Sequence, residues 1–202
     1  MMGFISALVI AYLLGSVSSA SLVSKWFKLP DPRENGSGNP GATNMLRIAG
    51  KKAGLMVLVG DLLKGVIAVL IGMLCQVKGF ELGIVAFAAV LGHVFPVFYK
   101  FKGGKGVATA AGVLIPLSFL TFVFAAATWG VVLFVTRFVS LSSLIAVLAT
   151  PIFLLIGGNF PYVVPFALIA ALIVWKHRDN IQRLKAGKEH TFEFSKKKES
   201  TE

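Results

Sequence analysis

The residues able to do chemistry in this chain sit in four short polar stretches. In the first, Asp31 to Arg47, Gly36, Gly38 and Gly41 allow the backbone to turn N–H groups toward a ligand. Ser37, Asn39, Thr43 and Asn44 add neutral hydrogen-bonding groups, and Arg47 follows Thr43 by one helical turn. That donor set suits a phosphate. The competing reading is an ordinary flexible loop, because Gly, Ser, Asn and Pro are also turn formers. The second stretch, Phe101 to Thr109, opens an apolar run. Backbone N–H groups at Gly103, Gly104 and Gly106 would face an anion at a helix N-terminus, with Lys105 as point charge. Lys105 is followed by Gly106 and not by Ser or Thr, so the magnesium ligand of a nucleotide-binding loop is missing and nucleotide hydrolysis is not expected. A basic anchor with glycines for close helix packing is the alternative.

The third stretch, Arg137 to Ser143, offers Ser142 and Ser143, either of which could instead cap the following helix. In the fourth, Trp175 to Arg183, His177 and Asn180 are three apart and share a helical face, so both can reach one ligand. A polar helix end meeting headgroups would look similar. Asp61 and Lys64 lie within an apolar run, read equally as a functional pair or as mutual neutralisation. His93 reads as an interhelical hydrogen bonder, and Gly15 and Ser19 as packing residues. There is no Gly-x-Ser-x-Gly and no His-Glu-x-x-His. A His-x4-Asp dyad would need Asp at positions that hold Phe98, Gln182 and Ser195, so no protein nucleophile announces itself. Cys75 is the one cysteine, which excludes an intrachain disulfide and a cysteine-based metal cluster.

Elements that position these stretches must cross lipid. With 56% hydrophobic residues, 14% charged residues and a mean hydropathy of +0.81, one soluble core cannot hide the apolar surface. The apolar runs cover residues 4–23, 54–75, 82–99, 106–136, 141–156 and 161–175. The fourth exceeds the roughly 20 residues of a single crossing; Gly112 and Pro116 interrupt it, and Pro116-Leu117-Ser118 supplies a turn between two helices. Seven short transmembrane helices result. The net charge of +11 does not mark nucleic-acid binding, because the cations lie between apolar runs and in the tail. With the N-terminus periplasmic, loops 24–53, 100–105 and 137–140 and everything after Trp175 are cytoplasmic and hold nearly all Lys and Arg; Lys78 alone lies opposite. No Lys or Arg precedes the run from Phe4 to Val23, so a retained first helix is expected and not a cleaved signal. The fold class is an all-α polytopic membrane protein with a cytoplasmic C-terminus: one domain over 1–194 and a basic, disordered cytoplasmic tail over 195–202.

Gly36-Ser-Gly-Asn-Pro-Gly-Ala-Thr-Asn44, Gly92-His-Val-Phe-Pro-Val-Phe98 leading into Lys102-Gly-Gly-Lys-Gly-Val-Ala-Thr109, and His177 to Arg183 together resemble the bacterial PlsY family of glycerol-3-phosphate acyltransferases. The resemblance runs from about residue 5 to 190. It implies an inner-membrane enzyme, with its site on the cytoplasmic side, that acylates the 1-position of sn-glycerol 3-phosphate. The products would be lysophosphatidic acid and, with the family's acyl-phosphate donor, inorganic phosphate, at the first step of phospholipid synthesis. Acyl carrier protein and acyl-CoA stand as other donors. Carried over by motif, Ser37 and Arg47 match essential residues, Gly103, Gly104, Lys105 and Gly106 match the glycerol-phosphate loop, and Ser142, His177 and Asn180 match polar residues of the site. The expected catalytic set is Ser37, Arg47, Lys105, His177 and Asn180. The expected substrate-binding set is Gly36, Gly38, Asn39, Thr43, Asn44, Gly103, Gly104, Gly106 and Ser142. Partners are glycerol 3-phosphate, the acyl donor and membrane lipid, with no nucleic acid, cofactor or metal. The competing class is a membrane transporter of organic phosphates, which should show an internal repeat and charges near the bilayer midplane.

Overall fold

A computed structural model describes residues 1–192, so the tail expected over 195–202 lies outside the described residues. Nine α-helices and no strand are found among them: α1 (Met2–Ser16), α2 (Ser19–Trp26), α3 (Ala42–Leu74), α4 (Gly79–Val94), α5 (Val107–Leu117), α6 (Phe119–Thr136), α7 (Val139–Ile156), α8 (Phe160–Lys176) and α9 (Arg178–Lys185). A 3-10 turn, Val97–Tyr99, follows α4.

The breaks have local causes. Val17 is extended between α1 and α2, and the Ser18 hydroxyl accepts from the Ser21 N–H to start α2. The two helices are bent by 43°. Gly50 (φ +84°) kinks α3 and separates its polar first turns from its apolar body. The long run from 106 divides at Ser118, extended at φ −160° and ψ 88°, directly after the Pro116-containing last turn of α5.

Four segments are long and apolar enough to cross a membrane: α3, Gly79–Tyr99, α6 and α7. Counting each bent pair, α1–α2 and α8–α9, as one span makes six. The 11 residues of α5 reach about 16 Å at 1.5 Å per residue, roughly half of a hydrocarbon core. Phe119, Leu120, Phe124, Val131, Phe134 and Val135 of α6 are all exposed, as side chains bathed in lipid would be. Inside, small residues let backbones meet. A methyl on Gly15 or Gly92 would strike the carbonyls of Ala89 or Tyr12 where α1 crosses α4, and one on Gly112 would strike Leu62 where α5 crosses α3.

The connections gather at two ends. Gly3 lies by Cys75, Gly79 by Pro161, and Asn159 donates to the Ser118 hydroxyl at 3.3 Å, which places these segments together at one end. Residues from the 37–47, 105–108, 139–143 and 177–190 stretches meet around a cavity at the other.

Candidate active site

The first loop is held by one side chain. Asn44, 1% exposed at the start of α3, accepts from the Ser37 N–H at 2.9 Å and donates to the Pro32 and Asn35 carbonyls at 2.8 and 2.9 Å. Gly36 (φ +65°) packs so closely on this amide that a methyl there would overlap Asn44 Oδ1. The N–H groups of Gly38 and Gly41 bond the carbonyls of Asn35 and Asn39. The N–H groups of Ser37, Gly38 and Gly41 are therefore committed inside the loop. Side chains are left to do the work: Ser37, Asn39, Thr43 and Arg47 all line the cavity, with Ser37 and Arg47 exposed. Arg33 stacks on the Tyr99 ring at 4.3 Å and so fastens this loop to the 3-10 turn.

The second loop divides in function. Gly103 and Gly104 do not line the cavity; the Gly104 N–H donates to the His93 carbonyl at 3.1 Å. Lys105 and Gly106 do line it, followed by Val107 and Ala108 of the first turn of α5. Gly106 (φ +87°) turns the chain into α5, and the first N–H groups of that helix lack intrahelical partners by geometry. An anion in the cavity meets Lys105 and a helix N-terminus together.

His177 ends α8 and Asn180 lies in the first turn of α9; both are buried. His177 Nδ1 donates to the Ile173 carbonyl at 2.8 Å, so the Nε2 lone pair is the ring's remaining polar group. Burial, reinforced by the Lys105 charge, pushes the His177 pKa down to about 4. Asn180 is a bridge: its oxygen accepts from Lys105 and its nitrogen donates to Glu189 at 2.7 Å. Burial and the Arg183 charge bring the Lys105 pKa down to about 8.

Ser142 does not reach the cavity. It is fully buried, and its hydroxyl donates to the Phe138 carbonyl at 2.8 Å. Because α7 begins at Val139, the cavity face carries Ser140, Ser143, Val147 and Thr150 at helical spacing. Neither Ser142 nor Ser143 caps α7, since both lie inside it. Sequence reasoning missed Ser140, Arg183 and Glu189, and considered Ser143 only as a cap. Glu189 accepts from Ser140 (2.9 Å), Asn180 (2.7 Å) and Arg183 (2.8 Å). A bond from the Phe192 N–H to the Arg137 carbonyl at 2.7 Å ties the segment after α9 over the start of α7. The signal available in the sequence was one acid, Glu189, placed between Lys185, Lys188 and His190.

The cavity holds about 350 Å³. Its mouth carries Arg47, Lys105 and Arg183; deeper, Leu114, Phe122, Ala125, Trp129 and Val147 of α5, α6 and α7 make an apolar slot. Such a shape takes an anionic head and a hydrocarbon tail at once.

The chain is similar to known proteins along nearly its whole length. Residues 5–187 match the family model described as glycerol-3-phosphate acyltransferase. The chain is 53% identical over 188 residues to a glycerol-3-phosphate acyltransferase of Coxiella burnetii, covering 93% of this chain and 97% of that one. It is 49% identical over 186 residues to the enzyme of that name from Vibrio cholerae, covering 92% and 88%. The crystal structure of PlsY, an integral membrane glycerol 3-phosphate acyltransferase, in its glycerol 3-phosphate form superposes with a TM-score of 0.89 at 41% identity, covering 94% of this chain and 96% of that one. The lysophosphatidic acid form of PlsY gives 0.88 at 40% identity, covering 94% and 95%. A match over nearly the whole chain, in sequence and in fold, makes this helical membrane protein a member of the glycerol-3-phosphate acyltransferase family.

Proposed function

We propose that this enzyme transfers a fatty acyl group from an acyl-phosphate to the 1-hydroxyl of sn-glycerol 3-phosphate, releasing lysophosphatidic acid and inorganic phosphate. The observation that carries the reading is a cavity whose cationic mouth opens into an apolar slot. An acyl-phosphate is a mixed anhydride, so phosphate is already a competent leaving group and no covalent enzyme intermediate is needed. The protein's task is to hold two phosphates and bring the hydroxyl to the carbonyl carbon. Arg47, Lys105, Arg183 and the α5 N-terminus would offset charge on the phosphates and on the developing oxyanion. Ser37, Asn39 and Thr43 would orient the phosphates and the glycerol hydroxyls.

His177 is neutral at pH 7 with its lone pair on Nε2, so it suits a bond accepted from the attacking hydroxyl. A base with a pKa near 4 is poorly matched to full proton abstraction. The proton would go to the departing phosphate, whose second pKa is near 6.

The enzyme would lie in the bacterial inner membrane with seven crossings, the N-terminus periplasmic and this mouth cytoplasmic. The two-ended gathering of connections supports that topology, with α5 as a short, sunken crossing. In a Cys75→Ser background, cysteines at 78 and 188 should label from opposite sides. Labelling from the same side would end the seven-crossing reading. Transport of organic phosphates is disfavoured because Asp61 and Lys64 pair with each other at 2.9 Å and the sequence carries no internal repeat. Purified enzyme assayed with acyl-phosphate, acyl carrier protein thioester and acyl-CoA should turn over with acyl-phosphate. Turnover confined to a thioester would overturn the proposed donor.

A further inference from the structure

Beneath the second loop lies a buried polar cluster to which the reaction above gives no role, although Asp61 and His93 reach the cavity wall. Asp61, Lys64 and His93 are 2%, 7% and 7% exposed. Lys64 Nζ contacts Asp61 Oδ1 at 2.9 Å, His93 Nδ1 at 2.6 Å and the Val17 carbonyl at 3.1 Å. An ammonium only donates, and these three acceptors use all its N–H groups. Nδ1 of His93 therefore accepts, and the ring's proton sits on Nε2, the edge turned toward Gly104. The loop rests on this histidine through its backbone and its ring. The His93 carbonyl takes the Gly104 N–H at 3.1 Å. A methyl on Gly104 would overlap the imidazole, and one on Gly103 would overlap the His93 carbonyl and Pro96. The next two residues, Lys105 and Gly106, face the cavity.

We infer that Asp61, Lys64 and His93 are positioning residues: a buried platform that fixes the height of Gly103 and Gly104, and through them the placement of Lys105 and the α5 N-terminus against the acceptor phosphate. An ion pair at this depth is costly to bury and adds little net stability compared with apolar residues of the same size. Its effect is orientation. Lys64 locks the ring, the ring and carbonyl lock Gly104, and a displacement of about 1 Å at a binding group can cost on the order of 100-fold in rate. Asp61 accepts from Lys64 at 2.9 Å and keeps its head aimed. This rests on the second loop holding the acceptor phosphate, so Gly106→Ala is included as a test of that reading alone.

The double variant Asp61→Asn/Lys64→Met removes both charges together and leaves no lone buried ion. We expect its KM for glycerol 3-phosphate to rise about tenfold, with kcat within about threefold and Tm close to the wild type. A second test does not depend on that variant folding. Gly104→Ala should raise the same KM, and adding His93→Ala, which makes room for the new methyl, should bring it back toward wild type. If His93 instead touched substrate directly, the two losses would add, and the platform would be refuted. A double variant with lower Tm and unchanged KM would likewise reduce the cluster to a structural pair and overturn the inference. Gly106→Ala separates the two levels: a raised KM there with unchanged KM in the platform variants defeats the platform only. An unchanged KM in Gly106→Ala as well defeats the assignment of the loop and the inference with it.

Discussion

Two groups of charge lie close together in this molecule and behave in opposite ways. Asp61, Lys64 and His93 sit between α3 and α4 with their donors and acceptors largely spent on one another. Arg47, Lys105 and Arg183 stand at the cavity mouth, where among the described residues Glu189 is the one acid at hydrogen-bond distance, and it bonds Arg183. In the lower group charge is balanced, and its product is geometry. In the upper group positive charge is in excess, and the excess is a standing demand for an anion. Burial alone does not mark a functional charge. Imbalance does.

The largest test of this contrast is Arg47→Ala. Removing the exposed guanidinium takes charge from the excess side, and kcat/KM for glycerol 3-phosphate should fall by about 100-fold or more, with Arg47→Lys recovering only part because a bidentate contact is lost. A fall under about threefold would show that Arg47 is a surface cation like any other. His177→Ala should cost next most, about 10- to 100-fold in kcat. His177→Gln or His177→Asn should restore part of it, because an amide oxygen can accept the hydroxyl bond that Nε2 accepts. With the His177 pKa near 4, an acidic limb near pH 6 belongs to substrate phosphate and should survive every substitution at 177. Amide variants as dead as alanine, with that limb lost, would make His177 the base.

Lys105 sharpens the comparison by titration. A pKa held near 8 means that the charge is present below pH 8 and is lost as pH rises through it. The KM for glycerol 3-phosphate should therefore climb by about tenfold per unit above pH 8, since a deprotonated amine offers no charge to phosphate. Lys105→Arg should flatten that rise. A wild-type KM constant from pH 7 to 9.5 would remove Lys105 from the excess group. The smallest effect belongs to Ser142→Ala. Its hydroxyl is satisfied by the Phe138 carbonyl at the start of α7 and does not line the cavity, so kcat/KM should stay within about threefold, whereas Ser140→Ala, which removes one of the three groups that hold Glu189, should lose more. A larger loss at Ser142 than at Ser140 would mean that α7 presents a different face during turnover.

Composition and apolar runs determined by themselves that the chain is helical and made for lipid, because so much apolar surface has no other stable solution in a chain of 202 residues. The Pro116-Leu117-Ser118 segment located the division of the long run: α5 runs through Pro116 to Leu117, and the extended Ser118 makes the break. Glycine and hydroxyl content located the loops that hold Ser37, Arg47 and Lys105, and helical spacing paired His177 with Asn180; all five reach one cavity. What only the tertiary structure decided was direction and partnership. Ser140 and Ser143 face the cavity and Ser142 does not because α7 starts at Val139, and spacing along a chain gives faces only relative to one another. Of the N–H groups expected to turn toward a phosphate from the first loop, those of Ser37, Gly38 and Gly41 are spent on Asn44, Asn35 and Asn39. Glu189 enters the site from beyond α9, and His93 meets Lys64 across 29 positions. Hydrogen bonds are settled by whichever group arrives at about 3 Å, and arrival from another helix is a property of packing that no local pattern encodes.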